Sequence, residues 1–254
     1  MSFRSRCLGH GMANLSTPQR LSTLPAPFGW TWQGRLLVFT LAAMSIWCLL
    51  AEFYGLCSMR TFTLAVLLPA TAALVGLAVL DLLKGAGEMW RAVAIGAVAG
   101  FIAACAYDVF RLPFVFAREW NLPSVVPPMD LFKVFPQFGA MILGDPLGQP
   151  GYSLAAHLTG WVYHFSNGVT FGVMYLAMIG DARQRSWLWA VGLATGLELA
   201  MLLTPYAQFF AIPLTAWFVA VTLTAHLVFG VALGMVAKSW ASRWPGPCLP
   251  AAGP

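Results

Sequence analysis

Charged side chains are scarce in this chain of 254 residues: 9% are Asp, Glu, Lys or Arg, whereas 59% are hydrophobic. A soluble domain is about 25% charged, so these side chains are too few to cover a water-exposed surface. The mean hydropathy of +0.75 agrees with this conclusion. The composition therefore excludes an ordinary soluble protein and predicts an integral membrane protein whose immediate partner is the lipid bilayer.

The chain also lacks the alternating segments of about 10 residues that form the strands of membrane barrels. Its apolar runs are instead long enough to cross a bilayer as helices, for which about 20 residues suffice. We therefore predict an all-α fold, a polytopic helical membrane bundle of about six transmembrane helices.

Paired cysteines are missing as well. The chain has five cysteines and no C-x-x-C spacing, and Cys48 and Cys105 fall inside apolar runs. An odd number of cysteines in this placement argues against a disulfide framework. Buried free cysteines of this kind behave as small hydrophobic residues in a protein core.

Several familiar motifs of soluble enzymes are absent. The sequence contains no H-E-x-x-H, no G-x-S-x-G, no Walker A motif and no dinucleotide-binding fingerprint. The net charge of +5 does not indicate a nucleic-acid partner, because the basic residues lie singly at the ends of apolar segments. No nucleic acid is therefore expected among the partners.

The apolar runs divide the chain into three parts. We predict a disordered N-terminal tail over residues 1–34, a six-helix transmembrane domain over 35–238 and a C-terminal tail over 239–254. The predicted spans are 36–55, 61–83, 90–110, 152–180, 187–203 and 210–237. The connection over 112–151 is rich in proline, and its apolar piece 129–143 is too short to span, which favours an interfacial or re-entrant helix.

The basic residues predict the orientation of the bundle. With six spans, both termini share one side of the membrane, and ten Lys and Arg residues lie on that side against three on the other. The positive-inside rule then places both termini in the cytoplasm and the 112–151 loop outside. The predicted location is a bacterial-type inner (plasma) membrane.

Two pairs of spans share a spacing of small residues. Gly96-x-x-x-Gly100 in the third span is matched by Gly192-x-x-x-Gly196 in the fifth. The fourth and sixth spans carry a second shared frame, His164-x-x-x-Gly168-x-x-x-Gly172 and His226-x-x-x-Gly230-x-x-x-Gly234. This pattern predicts a parallel repeat of two helix hairpins, spans 3–4 and 5–6. Faces of the Gly-x-x-x-Gly type also suit homo- or hetero-oligomers.

Ionisable residues inside apolar spans mark the candidate site, because such residues are rare in membranes and usually functional. Counting residues from the predicted helix ends places His164, Glu198 and His226 near the middle of the bilayer. Asp108, Arg111 and His157 then form an outer polar layer. Asp108 and Arg111 are three residues apart and can pair on one helix face.

These residues are compatible with several functions. A transition metal could bind His164, His226 and Glu198, and a haem could bind His164 and His226, with Arg111 at a propionate. Without either cofactor, His164, Glu198 and His226 could act as acid–base groups, with Asn167 orienting an imidazole or contacting a substrate. The structural alternative for each histidine is a hydrogen-bonding contact between helices.

The leading hypothesis is therefore a metal- or ligand-binding membrane enzyme that acts on a lipid-soluble substrate. The alternatives are a proton-coupled transporter of small solutes, a b-type haem-binding membrane protein and a non-catalytic subunit of a membrane complex. The sequence alone does not identify the cofactor, and it resembles no family that would decide between them.

Overall fold

A computed structural model describes residues 30–244 of the chain, and its regular secondary structure over that range is entirely helical. The helices are α1 (Trp32–Phe53), α2 (Met59–Phe62), α3 (Leu68–Lys84), α4 (Glu88–Val115), α5 (Val134–Leu143), α6 (Leu154–Ile179), α7 (Leu188–Leu202), α8 (Tyr206–Phe209) and α9 (Ala216–Arg243). A π-helical turn over Thr63–Leu67 joins α2 to α3.

The helices extend beyond some of the predicted limits. Residues 1–29 of the predicted N-terminal tail lie outside the described residues, and α1 begins at Trp32, within the predicted tail. Helix α9 continues to Arg243, whereas 245–254 of the predicted C-terminal tail are not described. Helix α9 also begins later than predicted, after Pro213, with the Thr215 hydroxyl accepting from the amide of Phe218.

Four helical segments are long and apolar enough to cross a membrane, which supports a helical membrane bundle. They are Trp32–Phe53, Met59–Lys84, Glu88–Val115 and Ala216–Arg243. Helix α6 has 26 residues but is more polar than these four, and α7 has only 15 residues. The less apolar α6 lies at the centre of the bundle, where it packs against α1, α4 and α5.

The second apolar segment, Met59–Lys84, lies at the periphery. Only 22% of its most apolar window is buried, against 39–44% in the other three segments. Pro69, which has no amide hydrogen to donate, is the second residue after the π-helical turn. The wider π-helical turn accommodates the proline, which in a regular α-helix removes a hydrogen bond and clashes with the preceding turn.

Helices α4 and α6 approach until their backbones touch. A methyl group added to Gly96 would lie 2.7 Å from the carbonyl oxygen of Gly172, and one added to Gly100 would overlap the carbonyl oxygen of Gly168. Small residues permit this approach between membrane helices. The predicted glycine faces of these two helices are therefore used for packing within the chain.

Helix α5 is held against the first half of α6 in the same way. Methyl groups added to Gly139 and Gly160 would overlap backbone carbonyl oxygens of Ala156 and Phe135, respectively. Helix α5 occupies the apolar piece that was predicted to form a short interfacial or re-entrant helix. Its close contact with α6 fixes the aromatic side chains of α5 beside the candidate site.

The second hairpin, α7 and α9, packs through the glycines of α9. A methyl group added to Gly230 would lie 2.6 Å from Cα of Val191, and one added to Gly234 would lie 2.5 Å from the carbonyl oxygen of Trp187. In contrast, methyl groups added to Gly192 and Gly196 would have no atom within 4 Å. These two glycines of α7 therefore do not make the contact with α9.

The hairpins meet along α4 and α9, which pack extensively against each other. Helix α7 packs against α9 but scarcely touches α6. The side of α6 that faces α7 is therefore left open inside the bundle, and the cavity described below lies there.

We expect Gly100→Ala to destabilise the bundle and Gly196→Ala to leave it unchanged. The same methyl group overlaps the backbone of α6 at Gly100 and meets open space at Gly196. Overpacking of this kind typically costs about 1–3 kcal/mol. The midpoint of thermal unfolding in detergent, followed by size-exclusion chromatography of heated samples, measures the difference. Equal midpoints for the two variants would show that α4 and α6 do not touch at Gly100.

Candidate functional site

A cavity of about 640 Å³ lies between α1, α4, α6, α7 and α9. It is in the half of the bundle that contains the carboxyl-terminal ends of α4 and α7 and the beginnings of α6 and α9. The segment before α5 and the connection between α7 and α9 border its mouth. A volume of this size is typical of small-molecule sites, which are concave and mostly apolar.

Asp108 of α4 and His164 of α6 form the first polar pair. The Asp108 Oδ2 atom lies 2.8 Å from Nε2 of His164, and the carboxyl group is 11% exposed. Because a carboxylate only accepts hydrogen bonds, Nε2 carries the proton in this contact. The ring of His164 also stacks on Phe135 of α5, with ring centres 4.2 Å apart.

Arg111 is held behind this pair, and its side chain is only 5% exposed. Its Nη1 lies 3.5 Å from Asp108 Oδ1, and its Nη2 donates to the carbonyl oxygen of Leu131. The guanidinium carbon also lies 4.7 Å from the ring centre of Tyr107 and 4.9 Å from that of Phe132. The arginine thus joins α4 to the segment before α5 and balances the charge of Asp108.

His226 of α9 and Glu198 of α7 form the second polar pair. Nδ1 of His226 lies 2.9 Å from the carbonyl oxygen of Thr222 and 3.4 Å from Glu198 Oε2. The shorter distance assigns the Nδ1 hydrogen to the Thr222 carbonyl. The contact between Nδ1 of His226 and Glu198 is therefore an electrostatic interaction rather than a directed hydrogen bond.

Two buried side-chain atoms lack a hydrogen-bond partner within residues 30–244: the Nε atom of Arg111 and the Oδ1 atom of Asn167. The side chain of Glu198 is 9% exposed, and its contact with His226 is an ion pair rather than a hydrogen bond. Buried polar groups are nearly always satisfied in proteins, so each exception calls for an explanation. All three residues line the cavity, although the Arg111 Nε and Asn167 Oδ1 atoms themselves have almost no accessible surface.

The two polar pairs occupy matching positions in the two hairpins. His164 and His226 each lie ten residues after the first residue of their helix and four residues before a packed glycine. Their carboxylate partners each end a stripe of small residues: Gly100, Ala104 and Asp108 in α4, and Ala190, Ala194 and Glu198 in α7. This register differs from the predicted one, because Ala190, rather than Gly192 or Gly196, contacts α9.

The structure distributes the predicted site residues differently from the two predicted layers. Asp108 of the outer layer contacts His164 of the central layer, so these two residues lie at one depth. Glu198 and His226 of the central layer lie together, and Asn167 lines the same cavity. His157 of the outer layer is exposed near the start of α6, and its side chain makes no ion pair or hydrogen bond with the described part of the chain.

Aromatic residues of the site were not anticipated from the sequence. Tyr107 contacts both imidazoles, with ring centres 6.1 Å from His164 and 5.0 Å from His226. The available signal was its spacing, since Tyr107 is four residues before Arg111 and therefore on the same helix face. Phe132 and Phe135 gave no comparable signal, because their position depends on how the segment before α6 folds back.

The side-chain geometry does not match the metal site predicted at His164, His226 and Glu198. No group of three or more His, Cys, Asp or Glu side chains suited to hold a metal ion occurs among residues 30–244. His164 turns Nε2 to Asp108, and His226 turns Nδ1 to a backbone carbonyl. The predicted ligands are thus directed to separate partners.

The residues also do not fit a haem between His164 and His226. The ring of Tyr107 contacts both imidazoles, where a macrocycle would need to lie. The glycines one turn away do not provide space, because Gly168 and Gly230 pack against α4 and α7. Arg111, the predicted propionate partner, is paired with Asp108.

Comparison with protein-family models, with curated proteins and with solved structures finds no match to this chain. The site must therefore be interpreted from its own geometry. Each neutral histidine donates through one ring nitrogen and keeps a lone pair on the other, Nδ1 of His164 and Nε2 of His226. A histidine that is oriented by one contact and flanked by a carboxylate is the usual arrangement of a general base.

We expect Arg111→Met to destabilise the protein strongly, because it leaves the Asp108 carboxylate buried without a cation. Removing one partner of a buried ion pair typically costs about 3–5 kcal/mol. The double variant Asp108→Asn with Arg111→Met should recover much of this loss. The free energy of unfolding in mixed micelles measures both effects.

The matched control is Arg118→Met, which removes an exposed arginine that follows α4. This variant should unfold like the unmodified protein. If Arg111→Met and Arg118→Met are equally stable, Arg111 does not balance the charge of Asp108.

Proposed function

We propose that this protein binds a lipid-soluble small molecule inside the bilayer and acts on it through acid–base chemistry. The observation that supports this proposal is the cavity, whose largely apolar walls carry two histidines and the carboxylate of Glu198. Apolar walls with a few convergent polar groups are typical of sites for small, mostly apolar ligands.

His164 and His226 are the proposed acid–base groups. A ligand in the cavity would meet the free ring nitrogen of either histidine. When a histidine accepts a proton, its carboxylate neighbour, Asp108 or Glu198, stabilises the imidazolium that forms. Asn167 would orient the polar head through its side-chain amide. The proposed enzyme would therefore act by moving protons.

We further propose that the bundle has six spans, with both termini in the cytoplasm of a cell bounded by an inner (plasma) membrane. Helix α6 measures about 39 Å at 1.5 Å per residue, which exceeds the hydrocarbon thickness of about 30 Å. Helix α7 is shorter and would be completed by the residues at its two ends. The cavity would then open toward the extracytoplasmic side.

Epitope tags inserted into the full chain test this orientation. A tag after Gly148, in the segment between α5 and α6, should be reached by antibody in intact spheroplasts. A tag after Gln184, between α6 and α7, should be reached only after the membrane is permeabilised. The reverse pattern, or equal access at both positions, would contradict the proposed topology.

The acid–base proposal can be tested with 2-naphthol, an aromatic alcohol whose excited state releases its proton to a nearby base. Protein in nanodiscs should increase the emission of the naphtholate anion relative to empty nanodiscs. His164→Gln combined with His226→Gln should remove that increase, because the two proton acceptors are lost. The ratio of anion to neutral emission is the measurement.

A cavity-blocking variant and its control locate the bound probe. Leu197→Trp on α7 fills the cavity, whereas Leu199→Trp adds the same ring to an exposed position of the same helix. We expect Leu197→Trp to abolish the naphtholate emission and Leu199→Trp to retain it. Equal emission from the two tryptophan variants would show that the cavity is not the binding site.

A proton-coupled carrier is the second candidate, and the buried charges of the two polar pairs favour it. The buried carboxylates Asp108 and Glu198 have one buried permanent cation beside them, Arg111, so one proton shared by the histidines would balance these three charges. An enzyme returns that proton on the side from which the ligand came, whereas a carrier releases it across the bilayer. A pH-sensitive dye sealed inside proteoliposomes distinguishes the two.

A further inference from the structure

Glu198 is the least satisfied charged group of the cavity. Its side chain is 9% exposed, and its one ion-pair contact within residues 30–244 is with Nδ1 of His226 at 3.4 Å. That nitrogen directs its hydrogen to the carbonyl oxygen of Thr222 at 2.9 Å. A carboxylate in an apolar surrounding needs donors or a counter-charge, and Glu198 has its cavity side available for one.

The ionisable groups around Glu198 do not supply a permanent counter-charge. Arg111 is already paired with Asp108. At the mouth of the cavity, the Lys133 ammonium donates to the carbonyl oxygen of Ala211, and Asp130 carries the opposite charge. The remaining ionisable side chains that border the cavity from α4, α6, α8 and α9 are neutral or exchange a proton: Tyr107, His164, Tyr206 and His226.

The walls around this carboxylate are rich in aromatic rings. Tyr107 contacts His226 and Phe229, with ring centres at 5.0 and 6.5 Å, and Phe171 contacts Phe229 at 6.3 Å. The faces of aromatic rings attract cations, most strongly where water is excluded. A carboxylate without a permanent counter-charge, in a cavity that is also lined by aromatic rings, is complementary to a positive head group on an apolar body.

We propose that the ligand of the cavity is a lipophilic cation, an amphiphile whose head is a protonated or quaternary amine that pairs with Glu198. This inference rests on the proposed function, because it names the substrate class of the same site. The cation supplies the positive charge that a proton on His226 would otherwise supply. Binding of the ligand therefore competes with protonation of the His226–Glu198 pair, and no covalent bond forms or breaks.

Octyltrimethylammonium is a suitable probe, because its charge does not change with pH. Binding of the radiolabelled probe is measured by equilibrium dialysis against full-length protein in nanodiscs of uncharged lipid, with empty nanodiscs as the background. The neutral comparison is 1-octanol, which has the same chain and an uncharged head. We expect the cation to bind at least about tenfold more tightly to the unmodified protein than to Glu198→Gln, and octanol to bind both alike.

The matched control is Glu119→Gln, the same substitution at an exposed position beyond α4, which should bind the cation like the unmodified protein. If Glu198→Gln does not fold, the pH dependence of the unmodified protein provides the test. Binding of the cation should strengthen as pH rises, because protons leave the His226–Glu198 pair. Binding of octanol should not follow the same curve.

The outcomes separate the two proposals. Octanol binding that Leu197→Trp abolishes, together with cation binding that is insensitive to both Glu198→Gln and pH, would overturn the cationic ligand and leave the proposed function intact. Failure of both probes to bind above the level of empty nanodiscs would overturn the proposed function as well.

Discussion

Backbone contact between α4 and α6 determines where the first polar pair lies. Four glycines, Gly96, Gly100, Gly168 and Gly172, let the two helices approach until carbonyl oxygens face Cα atoms. Larger residues at these positions would separate the helices by the width of a side chain. The approach brings Asp108, two helical turns beyond Gly100, within hydrogen-bonding distance of His164, one turn before Gly168. The close packing of α4 against α6 therefore also determines the geometry of the Asp108–His164 pair.

Charged groups in such an interior are stable only when neighbouring groups compensate them. The Asp108 side of the cavity meets this requirement within the chain, because Arg111 supplies a charge and three aromatic rings surround its guanidinium. The Glu198 side does not, and it is bordered by a histidine that can gain or lose a proton. The two matching hairpins thus carry similar residues, but only the carboxylate of the first hairpin, Asp108, is paired with a permanent cation.

Hydropathy was sufficient to predict the helical class. His164, His226 and Glu198, singled out as ionisable residues inside apolar runs, line one cavity in the structure. The pairing of Asp108 with Arg111 also followed from their spacing, and the structure places the two side chains 3.5 Å apart. The contact between Asp108 and His164 did not follow, because depth was counted from hydropathy limits. Helix α4 runs through Pro113 to Val115, which places Asp108 further from the helix end than the predicted span allowed.

The register of the two hairpins was also beyond the reach of a glycine pattern. In α7 the contact with α9 is made by Ala190 and Val191, while Gly192 and Gly196 contact nothing across the helix. Alanine is small enough to serve in such a contact. An alignment of the two hairpins that uses glycines alone is therefore out of register. The aromatic contacts of α5 depend on how a proline-rich segment folds back, which no local periodicity specifies.

Helix α7 covers only about 22 Å along its axis, since it has 15 residues, whereas the hydrocarbon layer is about 30 Å thick. Lipids around a short membrane-spanning helix adapt by thinning, and flanking polar residues reach toward the headgroups. In the proposed six-span arrangement α7 crosses the membrane, and Glu198 lies four residues from its end, so bilayer thickness would control how close headgroup water comes to the carboxylate. The same chain would then hold that carboxylate in a drier setting in a thick, ordered membrane than in a thin, fluid one.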